Sequence, residues 1–499
     1  MKSKPFQKTY FFLTALLCAS CMHPAKPVSA FDSAGSYGDP DQDGTVSVSD
    51  AVMLEKHLTA ETALEDQSAA ECADLNHDGK LNAVDLTLLK RQILQGTPGP
   101  GDQLITKPLS VLSPTLPSTG NVRILLVLVN FSDCVHPDKV NIENVQAQCF
   151  GAADPDNWLS PLESITAFYE RASYGRLHVD GDVYEYTVQG SVSKYIDRNK
   201  LADEVLAGLD DQIDYTNYDA NQDGILDAVI FAVPQKADST EWRAKTGRYF
   251  GKNTHDGIKI GSRTSGRHDP TDRAGFSQVW IHELGHAMGL PDYYKYFNTE
   301  DGIFGLNGDA GWEMMDDAGG DFSSFSKLML GWYTASEIQI YSGGTQTFQL
   351  ASSQTTPGCV IIPRNAQDGF CSEYFVLEYL TNEQNNRAYF DNLRKRTMFS
   401  EGGLRVLHCD AEICEGVLGN PELKWNNYGK YYDDSNTKQR VLRLVNEAEG
   451  GTFFRTGDTV SDAVSGFHWY DDDGGQTVPT GCTVTVQSIE DGICTFTIS

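Results

Sequence analysis

The sequence predicts a multidomain protein: a small all-α module, then an α/β (α+β) domain, then a C-terminal β-sandwich. Three observations predict it. A loop–helix unit is duplicated within the first hundred residues. Between 121 and 335, aliphatic runs of strand length alternate with helical patterns. Beyond 336, short alternating segments sit between Gly/Asp turns. A length of 499 residues exceeds one core, and 40% apolar with 10% aromatic residues excludes global disorder. The formal net charge of −30 excludes a nucleic-acid binder, which needs a basic face for phosphate.

Residues 1–30 read as a signal peptide. Lys2, Lys4 and Lys8 precede an apolar run, Tyr10–Leu17, and Val28-Ser29-Ala30 gives a small-x-small cleavage pattern. A lipid anchor on Cys21 is the rival reading, and no later stretch is apolar enough to span a membrane. The protein is therefore expected to be secreted, an extracellular setting that permits disulfides. Eight of the nine later cysteines fall as neighbours: 134/149, 359/371, 409/414 and 482/494. Local pairing is expected, with buried thiols as the alternative.

Residues 31–97 hold the repeat. Asp39, Asp41, Asp43, Thr45, Ser47 and Asp50 occupy positions 1, 3, 5, 7, 9 and 12 of one loop. Asp74, Asn76, Asp78, Lys80, Asn82 and Asp85 do so in the second. Gly44 and Gly79 at position 6 permit the sharp turn that wraps oxygens around calcium; Thr45 and Lys80 would offer backbone carbonyls. A helix follows each loop, with Ala51, Leu54 and Leu58 on one apolar stripe and Leu86, Leu89 and Ile93 on the other. The Ser/Gly-rich approach to residue 38 cannot supply a preceding helix. This duplication resembles a type I dockerin. The resemblance implies calcium-dependent binding to a cohesin of a cellulosome scaffoldin, in a setting of polysaccharide catabolism. It points to Val48, Ser49, Ala83, Val84, Lys90 and Arg91 as partner contacts. Residues 98–120, with five prolines among Gly, Ser and Thr, read as an extended linker.

In 121–335, Val122–Val129 reads as a buried strand, Leu162–Tyr174 as a helix and Val229–Val233 as another strand. The centre is Trp280-Ile281-His282-Glu283-Leu284-Gly285-His286. On a helix, His282 and His286 share one face and can hold one zinc, while Glu283 can take a proton from its water. Gly289 can end the helix with positive φ and turn Asp292 toward the metal. Glu300 or Glu313 is the rival third ligand, although neither stretch looks helical. Met315 fits a methionine turn beneath the zinc; ordinary packing is the alternative. A further loop offers Asp219, Asn221, Asp223, Asp227 and the carbonyl of Ile225 to a third calcium.

These motifs, with Phe168–Leu177 and Ser326–Trp332, resemble the immune inhibitor A family of secreted, metzincin-type zinc metallopeptidases. The resemblance covers about 121–499 and implies an endopeptidase acting on extracellular proteins. The long propeptide of some members is absent, its place taken by the repeat and linker. Residues 336–499 are expected to form the β-sandwich, with His408 and His468 packed or solvated rather than metal-bound. Two other readings stand beside the hydrolase. One is an inactive assembly or adhesion protein; the other is a carbohydrate-active enzyme, for which no carboxylate pair is singled out.

Overall fold

The computed structural model describes residues 40–41, 46, 48–64, 67–75, 80–95, 114–157, 159–237, 241–249, 254–268, 276–294, 312–316, 319–365, 369–387, 399, 401–415, 421–427, 439–446 and 453–499. The signal peptide and Cys21 lie outside them. The chain divides into two compact units, 1–97 and 98–499. It is a multidomain, mixed α/β protein with several sheets. Among the described residues, no helix is long and apolar enough to cross a membrane.

The first unit contains helices α1 (Val48–Leu58), α2 (Gln67–Ala73) and α3 (Ala83–Gln95). Its core is small: Ala51, Leu54, Ala73 and Leu89, with Leu58, Leu86 and Ile93 packed against it. The two apolar stripes therefore close on each other. Helix α2 has no counterpart in the loop–helix reading, because its seven residues show no apolar periodicity.

The second unit begins with β1 (Gly120–Asn130), β2 (Leu177–Thr187), β3 (Ile225–Leu226), β4 (Val229–Pro234), β5 (Lys245–Arg248), β6 (Thr254–His255), β7 (Ile258–Ile260) and β8 (Ser262–His268). Its helices are α4 (Ile142–Phe150), α5 (Ile165–Ala172), α6 (Arg198–Leu209), α7 (Phe276–Ala287) and α8 (Ser324–Met329). The main sheet has the order β2-β1-β4-β8-β5. Its pairs are parallel except that β5 runs antiparallel at one edge. Strand β1 is central, which explains its unbroken aliphatic run. Ile124, Leu126 and Leu128 enter one core with α4, α5 and α7; Leu125, Val127 and Val129 enter another with α6.

Residues 114–120, expected to end the linker, pack instead onto this unit. Leu116 is buried in the first core, Ser118 Oγ donates to Leu330 O at 2.8 Å, and Trp332 Nε1 donates to Ser118 O at 2.6 Å. Residues 98–113 lie outside the described residues.

The C-terminal strands are β9 (Ile338–Ile340), β10 (Gln346–Ala351), β11 (Cys359–Pro363), β12 (Glu373–Leu380), β13 (Gly403–Asp410), β14 (Ile413–Glu415), β15 (Pro421–Leu423), β16 (Leu442–Leu444), β17 (Thr459–Val460), β18 (His468–Tyr470), β19 (Gln476–Pro479), β20 (Val484–Glu490) and β21 (Ile493–Ile498). Two sheets, β10-β21-β20-β17 and β16-β13-β12-β11-β9, share an apolar core. The five-stranded sheet is buried on both faces. Phe375 and Leu377 face its partner sheet, while Tyr374 and Val376 join the core containing α7. That core crosses the expected boundary at 335/336, so the C-terminal sheets and α7 share packed residues.

Cys134, Cys149, Cys359, Cys371, Cys409, Cys414, Cys482 and Cys494 are free thiols, which corrects the expected local disulfides. Cys134 packs on one side of the main sheet and Cys149 on the other. Cys482 lies beyond the Thr483–Ser499 backbone pair, whereas Cys494 lies opposite Ile489. About 15 Å of strand separates them, and a disulfide tolerates about 7 Å between Cα atoms. Proximity in sequence does not become proximity in space when a sheet intervenes.

Candidate metal centre

Helix α7 is held from three sides. Tyr169 donates its hydroxyl to Ile281 O at 2.7 Å, and Thr246 Oγ1 to Glu283 O at 2.9 Å. Thr115 N and Leu116 N donate to Ala287 O at 3.0 and 3.1 Å. Trp280, Ile281, Leu284, Ala287 and Met288 are buried, leaving His282, Glu283 and His286 as its polar face. Gly289 has φ +97° and donates to His286 O, turning the chain after the helix.

This turn brings Asp292 back to the histidines. Its Oδ1 lies 3.0 Å from His282 Nε2 and 3.2 Å from His286 Nε2. The two rings are perpendicular, with centroids 4.9 Å apart. The other ring nitrogens are occupied: His282 Nδ1 bonds Met314 O at 2.9 Å, and His286 Nδ1 bonds Leu290 O at 2.8 Å. A carbonyl only accepts, so each Nδ1 carries a proton and each Nε2 can turn a lone pair inward. The three candidate ligand atoms lie within 4.8 Å of one another. Ligands about 2.1 Å from a tetrahedral zinc stand roughly 3.4 Å apart, so this donor set fits one ion. Without a metal, burial opposes charge on His286, but its hydrogen bond to Asp292 wins and raises its pKa to about 9, so a bound metal would displace the Nε2 proton. Asp292 is likewise opposed by burial, yet the two imidazoles hold its carboxyl well below the usual range.

Glu283 is 6% exposed, and its Oε2 has no hydrogen-bond partner. An orphaned buried carboxylate oxygen beside a metal-competent cluster is costly unless something else uses it. Glu313 plays a different part. Its carboxylate accepts from Met315 N, from Ser323 N at 3.1 Å and from Ser326 Oγ at 2.7 Å, so it braces a turn. Burial pushes its pKa up against these donors. The other rival, Glu300, lies outside the described residues.

Met315 lies directly under α7: a Cβ at Gly285 would stand 2.5 Å from its Sδ. Met315 O also accepts from Tyr293 N at 2.9 Å, tying this turn to the one that carries Asp292. We predict that Gly285→Leu costs about 1–3 kcal/mol by overpacking this contact. A thermal melt should show the loss.

The face opens into a cleft of about 860 Å³. Glu283, His286, Asp292 and Tyr294 meet β5 and Pro114-Thr115 there. Tyr294 also stacks near His282, with ring centroids 6.2 Å apart. The C-terminal part buttresses the centre: Asn427 Nδ2 donates to Tyr293 O at 3.0 Å and to Leu442 O at 2.7 Å. His408 is buried between Glu373, 2.7 Å from its Nε2, and Gln476, 2.8 Å from its Nδ1, so it is packed.

The 219–227 loop adopts a tight turn. Asp219 accepts from Asp223 N at 3.0 Å and Gly224 N at 2.9 Å, and Asp223 accepts from Ile225 N at 2.8 Å. Asn221 Nδ2 donates to Asp223 at 2.9 Å. Asp227 is fully buried; one oxygen accepts from Ala220 N at 2.9 Å and the other has no partner. Burial first, then Asp219 and Asp223, raise its pKa to about 7. These carboxylates do not converge as closely as the His–Asp cluster, which is the one such group among the described residues.

In the first unit, Asp50 and Asp85 are both fully buried at corresponding places in the repeat. Asp85 accepts from Leu75 N at 3.1 Å and Asn82 N at 2.9 Å; Asp50 accepts from Asp41 N at 3.4 Å. Asp74 and Lys80 border the second loop. Asp39, Asp43, Thr45, Ser47, Asn76 and Asp78 lie outside the described residues. Residues 37–94 match the dockerin type I domain. The chain carries a type I dockerin. The dockerin binds calcium and implies a cohesin partner, hence cellulosome association, typically extracellular. No curated protein matches the chain. On the dockerin surface, Val48 is 66% exposed, and Lys90 Nζ lies 3.5 Å from Glu55. Ser49 and Ala83 open α1 and α3; Val84 and Arg91 are helical, their side chains outside the described set. Val52, one turn after Val48 and 43% exposed, extends the apolar patch that sequence reasoning missed. The i, i+4 spacing of two valines on the polar face was its signal.

Proposed function

We propose that the second unit is a secreted, metzincin-type zinc endopeptidase, delivered to a cohesin-bearing scaffold by the dockerin. One observation carries this reading: His282 and His286 converge on Asp292 while the neighbouring Glu283 keeps a buried, unpartnered oxygen at the cleft. His282, His286 and Asp292 would hold the metal. Zinc, when bound there, supplies Lewis acidity. Glu283 Oε2 takes a proton from the attacking water and returns it to the departing amine. Strand β5 is the outermost strand of its sheet among the described residues and lines the cleft, so an extended chain can lie along it. Val48, Val52 and Lys90 form part of the cohesin-facing surface.

The test is zinc content together with hydrolysis of a denatured protein. About one zinc per chain and activity abolished by a chelator are expected; zinc-loaded protein without hydrolysis would leave an inactive docking protein.

The 219–227 loop is proposed as a calcium site that steadies the entrance to β4, using Asp219, Asn221, Asp223, Asp227 and the Ile225 carbonyl. The unpartnered Asp227 oxygen supports it. A hundredfold excess of calcium over its Kd should stabilise this unit by about 2.7 kcal/mol. Asp227→Asn is expected to remove that gain in a calcium-dependent melt of the full chain, read at the transition of the second unit. An equal gain in the variant would refute the site.

A further inference from the structure

Among the described residues, four basic side chains and two carboxylates line the cleft of a protein whose net charge is −30. Arg198, Arg243, Lys245 and Arg248 line it, and its only carboxylates among the described residues are Glu283 and Asp292. Both of those belong to the proposed metal centre. Arg198 is immobilised by uncharged acceptors. Its Nη1 donates to Ser265 O and Oγ at 2.9 and 3.0 Å, its Nη2 to Glu241 O and Arg243 O at 2.6 and 2.8 Å. Its guanidinium lies over the Trp242 ring at 5.2 Å. Every one of these acceptors is neutral. Arg263 stands behind it, bonded to Asn199 Oδ1 at 3.0 Å, with Asp197 as the nearby acid. Burial, and then the mutual repulsion of Arg198 and Arg263, weighs against charge on Arg263. Glu283 and Glu241 are both near enough for their charge to act on Arg198. Lys245 is exposed on β5 and makes no ion pair among the described residues.

We infer that the cleft selects polypeptides carrying a carboxylate side chain close to the bond that is cut. Lys245 receives that carboxylate at the strand edge, and Arg198 supplies a fixed positive field. A preoriented charge needs no reorganisation when the anion arrives, whereas the contact to exposed Lys245 is screened by salt. The positive charges of Arg198 and Lys245 also draw acidic segments in against the repulsion of the remaining surface. The inference rests on the endopeptidase reading and names its substrate class.

The experiment uses the zinc-loaded full chain and internally quenched peptides in which Glu or Gln is scanned through positions flanking the cleavage site. At one position Glu should raise kcat/KM about tenfold over Gln, and added salt should shrink the difference. Lys245→Glu should reverse the preference, so that Gln is cut faster than Glu at that position. Efficient cleavage with no Glu/Gln difference would overturn the inference and leave the endopeptidase reading intact. Absence of cleavage from every peptide would instead remove that reading. Fluorescence anisotropy of labelled Glu and Gln peptides on Glu283→Gln then decides the charge preference separately: tighter Glu binding supports it, equal binding rejects it.

Discussion

Replacing Glu283 with glutamine is expected to reduce protein hydrolysis by on the order of 10²–10⁴-fold while zinc content stays at the wild-type level. The geometry separates the two properties. The candidate ligand atoms belong to His282, His286 and Asp292, and the Nδ1 bonds that orient the imidazoles go to Met314 O and Leu290 O. None of these contacts involves Glu283. Its Oε2 has no partner, so the amide removes a buried charge without removing a hydrogen bond at that oxygen. The variant should therefore melt at or above the wild-type temperature. Casein hydrolysis, metal analysis and a melt on the same preparation suffice. Undiminished hydrolysis with zinc retained would exclude the assigned proton carrier.

The second large effect concerns docking. The double substitution Asp41→Ala with Asn76→Ala, or addition of a chelator, should lower cohesin affinity by more than about a hundredfold. Among the described residues, the dockerin's core cluster has four buried side chains, two of them alanines, a small core on which to hold three helices by burial alone. Ion binding then supplies folding free energy, and its loss unfolds the helices that present the partner surface. The fully buried Asp50 and Asp85 are the link, because each joins a loop to the first turn of its helix. Circular dichroism of the full chain should lose helical signal as calcium is removed. Retained cohesin binding in chelator would show that docking does not require the ions.

How far the sequence reached can be judged residue by residue. Motifs with a short, rigid geometry were legible. His282 and His286 lie four apart on a helix, so their shared face follows from 3.6 residues per turn. The dockerin repeat was legible for the same reason, since oxygen donors at set offsets from a glycine have one economical arrangement around calcium. Continuous apolar strands such as β1 and β4 announced burial, although not what would cover each face. Glu313 was harder. By composition it competed with Asp292 as a ligand, and only its donors, Met315 N on one side and Ser323 and Ser326 on the other, show it bracing the Met315 turn.

The sequence by itself therefore determined the dockerin repeat, the His-Glu-x-x-His face and the alternation of the later strands. Local geometry suffices for all three. Tertiary structure decided the rest. It placed Met315 against Gly285 and joined Asn427 to the turn holding Asp292. It put Cys134 and Cys149 on opposite sides of one sheet, and it set Arg198 and Lys245 around a cleft in an acidic chain. These relations cross many residues of chain. Their distances depend on how sheets and helices pack, and one-dimensional spacing carries no information about that packing.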